Sequence, residues 1–319
     1  MKSTNLEQFP FPFTSDSYRY SNDLKPLESD VCAEITPEYK EHIERKRKFL
    51  REQPERRFQS LPQSIDAQWE WLEFFIEQTV EAYPDQFSLK KEGAKWTFTN
   101  HILNEEETFV LGETESLPCE PLDFIGRHFH NDFLLVQQRD GDLFLEAGQI
   151  AYAALFSVHW NLGMSFLEIH NPVPLVNKNG VNIVERIRDF LLRVEAGKPW
   201  MRINWNLMAD NFDVYLENID VWGPDRYKVT NENAGKLVHL RVEEQKFYRL
   251  PRSNAIMFVL NTQFLPLEDL AKKPEWLNMT YNVLSDIPEF MAEYKGIAPF
   301  LSQSVEYLKN LVEEIKVKN

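Results

Sequence analysis

FLLVQQRDGDLFLEAG, residues 133–148, sets two apolar runs around Asp140-Gly141. An Asp-Gly pair between strand-forming runs supplies the two left-handed positions that a tight hairpin requires, so the stretch reads as two antiparallel strands. Upstream, Trp96, Phe98 and Ile102 alternate with Thr97, Thr99 and His101, the period of a half-buried strand. Downstream, residues 150–160 read as a continuation of the sheet. LVHLRVEEQKFYRLP (237–251) and residues 255–263 read as two further strands joined at Pro251-Arg252-Ser253-Asn254. Helical patterns flank this core. Thr36-Pro37-Glu38 is a helix start, with an N-cap oxygen, proline in the first turn and an acid after it, and the helix is expected to reach about Glu52. Ile65, Trp69, Leu72, Ile76 and Val80 share one face of a second helix that begins near Ser64 and stops before Pro84. VNIVERIRDFLLRVEAG (181–197) reads as an amphipathic helix capped by Gly197, and the last helix covers 301–316. Helices, then adjacent strands, then helices make an α+β chain with an antiparallel sheet. A single domain, 1–319, is expected: an aromatic arm and helices over 1–90, the sheet over 91–265 and closing helices over 266–319.

The composition suits a large core: 319 residues, 43% of them hydrophobic. A net charge of -15 argues against a phosphate-binding surface, so no nucleic acid partner is expected. The basic run Arg45-Lys46-Arg47-Lys48 is interleaved with acids and reads as a solvated helix face. The two cysteines, Cys32 and Cys119, form no CxxC pair, which excludes thiolate zinc sites, four-cysteine iron–sulfur clusters and covalent haem attachment through CxxCH. Their scarcity points to a reducing compartment. The first residues carry no apolar signal core, and the longest apolar run, Ile150 to Phe156, is too short to span a bilayer. A cytoplasmic protein with no membrane partner is expected. The eleven glycines include no GxG, so neither a Rossmann fingerprint nor a P-loop is present.

Two stretches hold the candidate chemistry. In EIHNPVP (168–174), His170 stands just before a segment stiffened by Pro172 and Pro174. Proline fixes its own φ and drives the preceding residue out of the helical region, so the element carrying His170 ends there and the imidazole has a defined place. Such a histidine suits a metal ligand and equally a structural core residue. In 237–251, a strand would turn Val238, Leu240 and Val242 one way and His239, Arg241, Glu243 and Gln245 the other. That polar row is either the solvent side of an edge strand or the wall of a pocket in which Arg241 and Arg249 receive carboxylates. His128 and His130 would share a face if extended, but lack a third metal ligand nearby. Asp132 beside them supports them or is a turn residue. Ser157 and His159 have no GxSxG around them.

Four stretches in order, FPFPFTSDSYRYSNDLKPLE (9–28), LEIHNPVP (167–174), MRINWNL (201–207) and LRVEEQKFYRLPRSNAIMFVLNT (240–262), resemble the haem-dependent oxidative N-demethylase family nearly end to end. The resemblance implies a PAS-like antiparallel sheet with flanking helices and a non-covalent haem b. It implies oxidative demethylation of a small secondary amine, dimethylamine in the characterised case, with O2 and release of formaldehyde. Electrons would come from a separate flavin or iron–sulfur reductase subunit or another donor. Carried onto this chain, the axial ligand to the haem iron is His170, with His239 as runner-up. Arg241, Glu243, Gln245 and Arg249 take pocket or propionate roles, Glu243 and Arg241 being the catalytic candidates, and Asn204 and Trp205 support the pocket. The chain departs from the family pattern at Glu244, where the family has arginine, at His130-Asn131-Asp132, where it has Gln-Glu-Asp, and at Val158, in place of part of F-P-S-x-W. On a strand, Glu244 and Lys246 face away from Arg241 and Arg249. A non-catalytic PAS-like haem or ligand-binding protein, and a subunit that has lost haem, are the competing readings.

Overall fold

The computed structural model describes residues 6–20, 23–28, 31–152, 154–172, 177–178, 181–209 and 223–318. Its strands are β1 (Lys25–Pro26), β2 (Phe58–Ser60), β3 (Phe87–Glu92), β4 (Lys95–Asn100), β5 (Glu105–Val110), β6 (Asp132–Arg139), β7 (Asp142–Gln149), β8 (Asn177–Lys178), β9 (Val181–Asn182), β10 (Trp200–Ala209), β11 (Val238–Arg249) and β12 (Ile256–Pro266). The large sheet runs β1-β10-β11-β12-β6-β7-β2 with antiparallel pairing throughout, and β3-β4-β5 form a smaller sheet. This is the expected α+β arrangement. The β6–β7 hairpin turns on Asp140 and Gly141 alone, both at positive φ (51° and 77°), as the Asp-Gly pair predicts. The β11–β12 hairpin closes over Pro251–Asn254, with the Leu250 amide on the Ala255 carbonyl and Asn254 at φ 59°.

Helices cover both faces. Those before the sheet are α1 (Tyr39–Glu52), α2 (Pro54–Arg57), α3 (Ile65–Ala82) and α4 (Pro121–His128), followed by α5 (Val158–Asn161), α6 (Phe166–His170) and α7 (Ile183–Leu191). Longer helices at Pro274–Asp286 and Ala298–Lys318 follow the last strand. Even-numbered residues of β11 point to one face and odd-numbered ones to the other. On the even face, Tyr248, Met257 and Val259 join the core that holds Trp71 and Phe75 of α3. Leu240, Val242 and Leu265 join a second core with the C-terminal helices and with Phe9 and Phe13 of the arm. On the odd face, Phe247 packs with Phe166, Val184 and Leu191 of α6 and α7.

Several expectations need correction. Residues 150–160 do not extend the sheet; the chain leaves β7 and enters the short helix α5. Ile150, Ala151 and Tyr152 are buried, and Asp132 fixes them there, accepting the Ala151 and Tyr152 amides at 2.8 and 2.9 Å. Helix α7 stops at Leu191, six residues short of Gly197, which sits in a later turn at φ 74°. His128 and His130 do not share a strand face, since His128 is the last residue of α4. The basic run is not a solvated face: Lys46 is fully buried and Arg47 makes a bidentate bridge to Glu105 at 2.6 and 2.7 Å. Nor is β11 an edge strand, because it pairs along its length with both β10 and β12.

Between the two apolar cores of the even face lies a polar seam. Glu244 and Asn261 are register partners, and the Asn261 amide donates to both Glu34 and Glu244. Lys246 reaches Glu34 at 3.2 Å. Burial, and next the Glu34 carboxylate, push the Glu244 pKa up to about 7 against the opposing pull of Lys246 and Asn261. A carboxyl whose pKa is raised on folding binds more protons folded than unfolded, so its contribution falls as pH rises from about 4.5 through about 7. Glu244→Gln is therefore expected to stabilise the chain at pH 8 by roughly 1–3 kcal/mol and to leave it unchanged near pH 4. Urea denaturation of the two proteins at both pH values checks this; equal gains at both would contradict it.

Candidate functional site

The odd face of the sheet carries the polar row of β11. Opposite Gln245, Glu243 and Arg241 stand Arg202, Asn204 and Asn206 of β10. Strand alternation puts all six on one side, and α6 and α7 roof its Phe247 end. A cleft opens here and wraps over β10 toward the arm and the C-terminal helices. One part is apolar, with Phe166, Ile187, Phe247 and Phe258. The other is polar, with Arg202, Asn204, Gln245, Tyr294 and Lys295. Among the described residues no group of three or more His, Cys, Asp or Glu side chains is placed to hold a metal ion, and no helix is long and apolar enough to cross a membrane.

His170 lines the apolar part from the last position of α6. A capping box fixes the start of that helix: the Ser165 hydroxyl accepts from the Glu168 amide while the Glu168 carboxylate accepts from the Ser165 amide. The imidazole stacks on Phe166 with centroids 4.0 Å apart, and its Nδ1 lies 2.7 Å from the Phe166 carbonyl oxygen. A carbonyl only accepts, so Nδ1 carries the proton and the Nε2 lone pair is left to coordinate. Burial lowers the His170 pKa, the Phe166 carbonyl opposes that, and Arg202 adds to it. The ring is thus kept neutral, as a ligand must be. Asn171, ahead of Pro172, keeps right-handed helical dihedrals (φ -55°, ψ -34°) instead of being turned out as the proline predicts; Val173 and Pro174 lie outside the described residues.

Of the other residues singled out from the sequence, Asn204, Trp205 and Gln245 line the same cleft. Arg241, Glu243, Arg249 and His239 do not. Arg241 and Glu243 form a buried ion pair at 2.6 Å beneath the cleft floor, and Arg241 also donates to the Tyr152 carbonyl at 2.9 Å. Burial works to raise the Glu243 pKa, but Arg241, Gln245 and Arg202 outweigh it and hold the carboxylate below its ordinary value. Gln245 donates its amide to Glu243 and so couples this pair to the cleft. Arg249 spends its guanidinium on carbonyls of Leu191, Leu192, Val194 and Asn254 and on Gln138. His239 is buried near the far end of β11, with Nδ1 3.3 Å from the Leu237 carbonyl. His130, Asn131 and Asp132 are buried beside Lys46 rather than in the cleft.

Arg202 and Lys295 are among the cleft residues that the sequence reading did not single out. Arg202 sits on β10 with its Nε buried and unpartnered among the described residues. Burial depresses its pKa, against the nearby Glu243, Asp23, Tyr294 and Tyr20. Lys295 hangs its Nζ on the Trp205 carbonyl at 2.7 Å and lies 4.4 Å from the centre of the Trp205 ring. Burial, then Arg202 and Arg241, push it down to about 7. Only Arg202 had a sequence signal, its place in the R-x-N-W stretch; Lys295 lies ninety residues away from the strand it serves.

This donor set fits a haem. One neutral imidazole offers its Nε2, an apolar slot lies beside it, and a buried arginine nitrogen and an ammonium supply the positive charge that two propionates need. The family model for haem-dependent oxidative N-demethylase, alpha subunit-like, matches residues 23–304.

Proposed function

The chain belongs to the haem-dependent oxidative N-demethylase, alpha subunit-like family, and from that premise we propose that it is a haem b oxidoreductase acting on a small secondary amine of the dimethylamine type. The sheet is read as PAS-like, and the whole chain as a single unit working in the cytoplasm. The overall reaction consumes the amine, O2, two electrons and two protons, and yields the demethylated amine, formaldehyde and water. Bound haem would supply the reductive activation of O2 and the oxidation of the N-methyl carbon. The alpha-subunit designation in the family name implies a partner subunit. A flavin or iron–sulfur reductase is the partner we propose, since the chain itself has neither a cysteine set nor a glycine-rich nucleotide loop.

The observation that carries this reading is the His170 geometry: a stacked, neutral imidazole whose Nδ1 proton is taken by the Phe166 carbonyl. Around it the chain's own groups divide the work. Phe166, Phe247 and Phe258 exclude water from the imidazole side of the cleft. Gln245 donates an amide hydrogen to Glu243, which leaves its carbonyl oxygen free to accept from an amine N–H. Glu243 and Arg241 act as positioning residues: the ion pair locks the Gln245 amide, whose oxygen then orients an amine N–H. Asn204, register partner of Glu243, adds a second amide to the same wall.

The test is spectroscopic. Purified protein titrated with haem is expected to show a Soret band with histidine ligation. His170→Ala is expected to lose that ligation or most of the haem, while His239→Ala keeps it. Amine turnover is expected only with an added electron donor. No Soret band after titration, or ligation lost in His239→Ala and kept in His170→Ala, would overturn the assignment.

A further inference from the structure

We infer that Arg202 and Lys295 form a seat for a ligand carboxylate in the polar part of the cleft, in place of the sequence-salient pair Arg241 and Arg249. The inference rests on the cleft being the ligand site proposed above, and it names the chemistry that the site recognises beyond the imidazole.

Three observations carry it. First, neither Arg241 nor Arg249 lines the cleft: Arg241, whose Nε is also buried without a partner among the described residues, is charge-paired with Glu243, and Arg249 is spread over four backbone carbonyls and the side chains of Gln138 and Asn254. Second, Arg202 keeps a buried Nε with no partner among the described residues. A guanidinium N–H sealed from water and left unbonded is costly, and a carboxylate oxygen relieves that cost. Third, Lys295 is brought to the same cleft by a different segment and is held there by the Trp205 carbonyl and ring, with no carboxylate bridging it among the described residues. Arg202 lowers the proton affinity of Lys295, and an anion between two cations that share a cavity stabilises both. The groups that act on them are few. Lys295 feels Arg202 and Arg241; Arg202 feels Glu243, Asp23, Tyr294 and Tyr20, and Glu243 is already neutralised by Arg241. With its pKa near 7, Lys295 loses charge as pH rises through neutrality, so the seat weakens above pH 7 and ligand binding there is accompanied by proton uptake.

The carboxylate has two possible sources: the propionates of a tetrapyrrole, or an acid group on the amine substrate. Equilibrium titrations separate them. Haem and its dimethyl ester are compared on the parent, Arg202→Gln and Lys295→Gln, followed by absorbance. N-methylglycine and dimethylamine are compared on the same proteins by calorimetry. The glutamine variants keep hydrogen-bonding ability, and Lys295→Arg restores the charge; circular dichroism melts confirm that each variant is folded. If the seat holds propionates, the parent prefers haem to the ester by roughly 10–100-fold, each glutamine variant loses most of that preference, and Lys295→Arg recovers it. If it holds a substrate acid, haem and ester bind alike, and N-methylglycine binding falls by a similar factor in the variants. Should the parent bind no haem, the proposed haem function fails and the calorimetric arm still decides the seat. Identical affinities of parent and variants for haem, ester and N-methylglycine would overturn the inference.

Discussion

Lys46→Met is expected to cost about 3–5 kcal/mol of folding stability, although the substitution removes one cation from a run of four basic residues. Lys46 is wholly buried. Its ammonium donates to the Phe129 carbonyl at 3.1 Å and to the Asn131 carbonyl, and stands 3.4 Å from Asp132. Asp132 is as deeply placed and holds the Ala151 and Tyr152 amides. Taking the ammonium away strands a buried carboxylate and two carbonyls, and an uncompensated buried charge costs more than the pair contributes net. Burial already raises the Asp132 pKa, with Lys46 the largest opposing influence, so the variant is driven further toward a protonated Asp132. The double substitution Lys46→Met/Asp132→Asn is accordingly expected to recover part of the loss. Chemical denaturation at pH 7 reads both. A cost within about 0.5 kcal/mol for Lys46→Met, the range of ordinary surface changes, would mean that the buried pair is not formed.

Arg249→Met is the second large effect, roughly 2–4 kcal/mol, because several buried carbonyls lose their donor at once. The guanidinium joins the end of β11 to the Leu191 and Leu192 carbonyls at the C-terminus of α7, where a cation also offsets the helix dipole. It joins both to the β11–β12 turn through Asn254 and to β6 through Gln138. Lysine cannot reproduce a planar fork that serves so many acceptors, so Arg249→Lys is expected to recover less than half of the loss. Since α7 contributes Ile187 and Leu191 to the cleft, hydrogen exchange over 183–194 is expected to accelerate and ligand affinity to fall with it. Full recovery by lysine would show that charge, not the fork, is what the site uses.

The sheet was legible where a local rule decides the geometry. Asp140-Gly141 dictates its turn from two residues, β11 announces itself by alternation, and β12 by the unbroken apolar run Ile256–Leu260. The long α3 follows from one apolar stripe. What failed depended on partners remote in sequence. Lys46 looks like a surface cation until the 129–132 segment, more than eighty residues on, is laid beside it. The run 150–156 has strand composition, yet Asp132 captures the Ala151 and Tyr152 amides and takes them out of the ladder. The candidate site was legible in part for the same reason: the motifs surrounding His170, Asn204 and Gln245 are contiguous, so those residues stood out, and the structure brings them to one cleft. Arg241 and Arg249 stood out equally, because a sequence shows that a cation exists and not which acceptors surround it.

The cleft is walled by Phe13, Tyr18 and Leu24 from the beginning of the described chain, by β10 in its middle and by Met291, Tyr294 and Lys295 from near its end. This has a consequence for maturation. A ribosome delivers β6, β7, β10, β11 and β12 before residue 291, so the large sheet can assemble on the nascent chain while one wall of the cavity is still untranslated. The cavity is therefore finished only once residues 291–295 have been translated and folded onto the sheet. Chains arrested before Tyr294 and Lys295 would own the sheet and the His170 imidazole but no finished receptacle for a ligand.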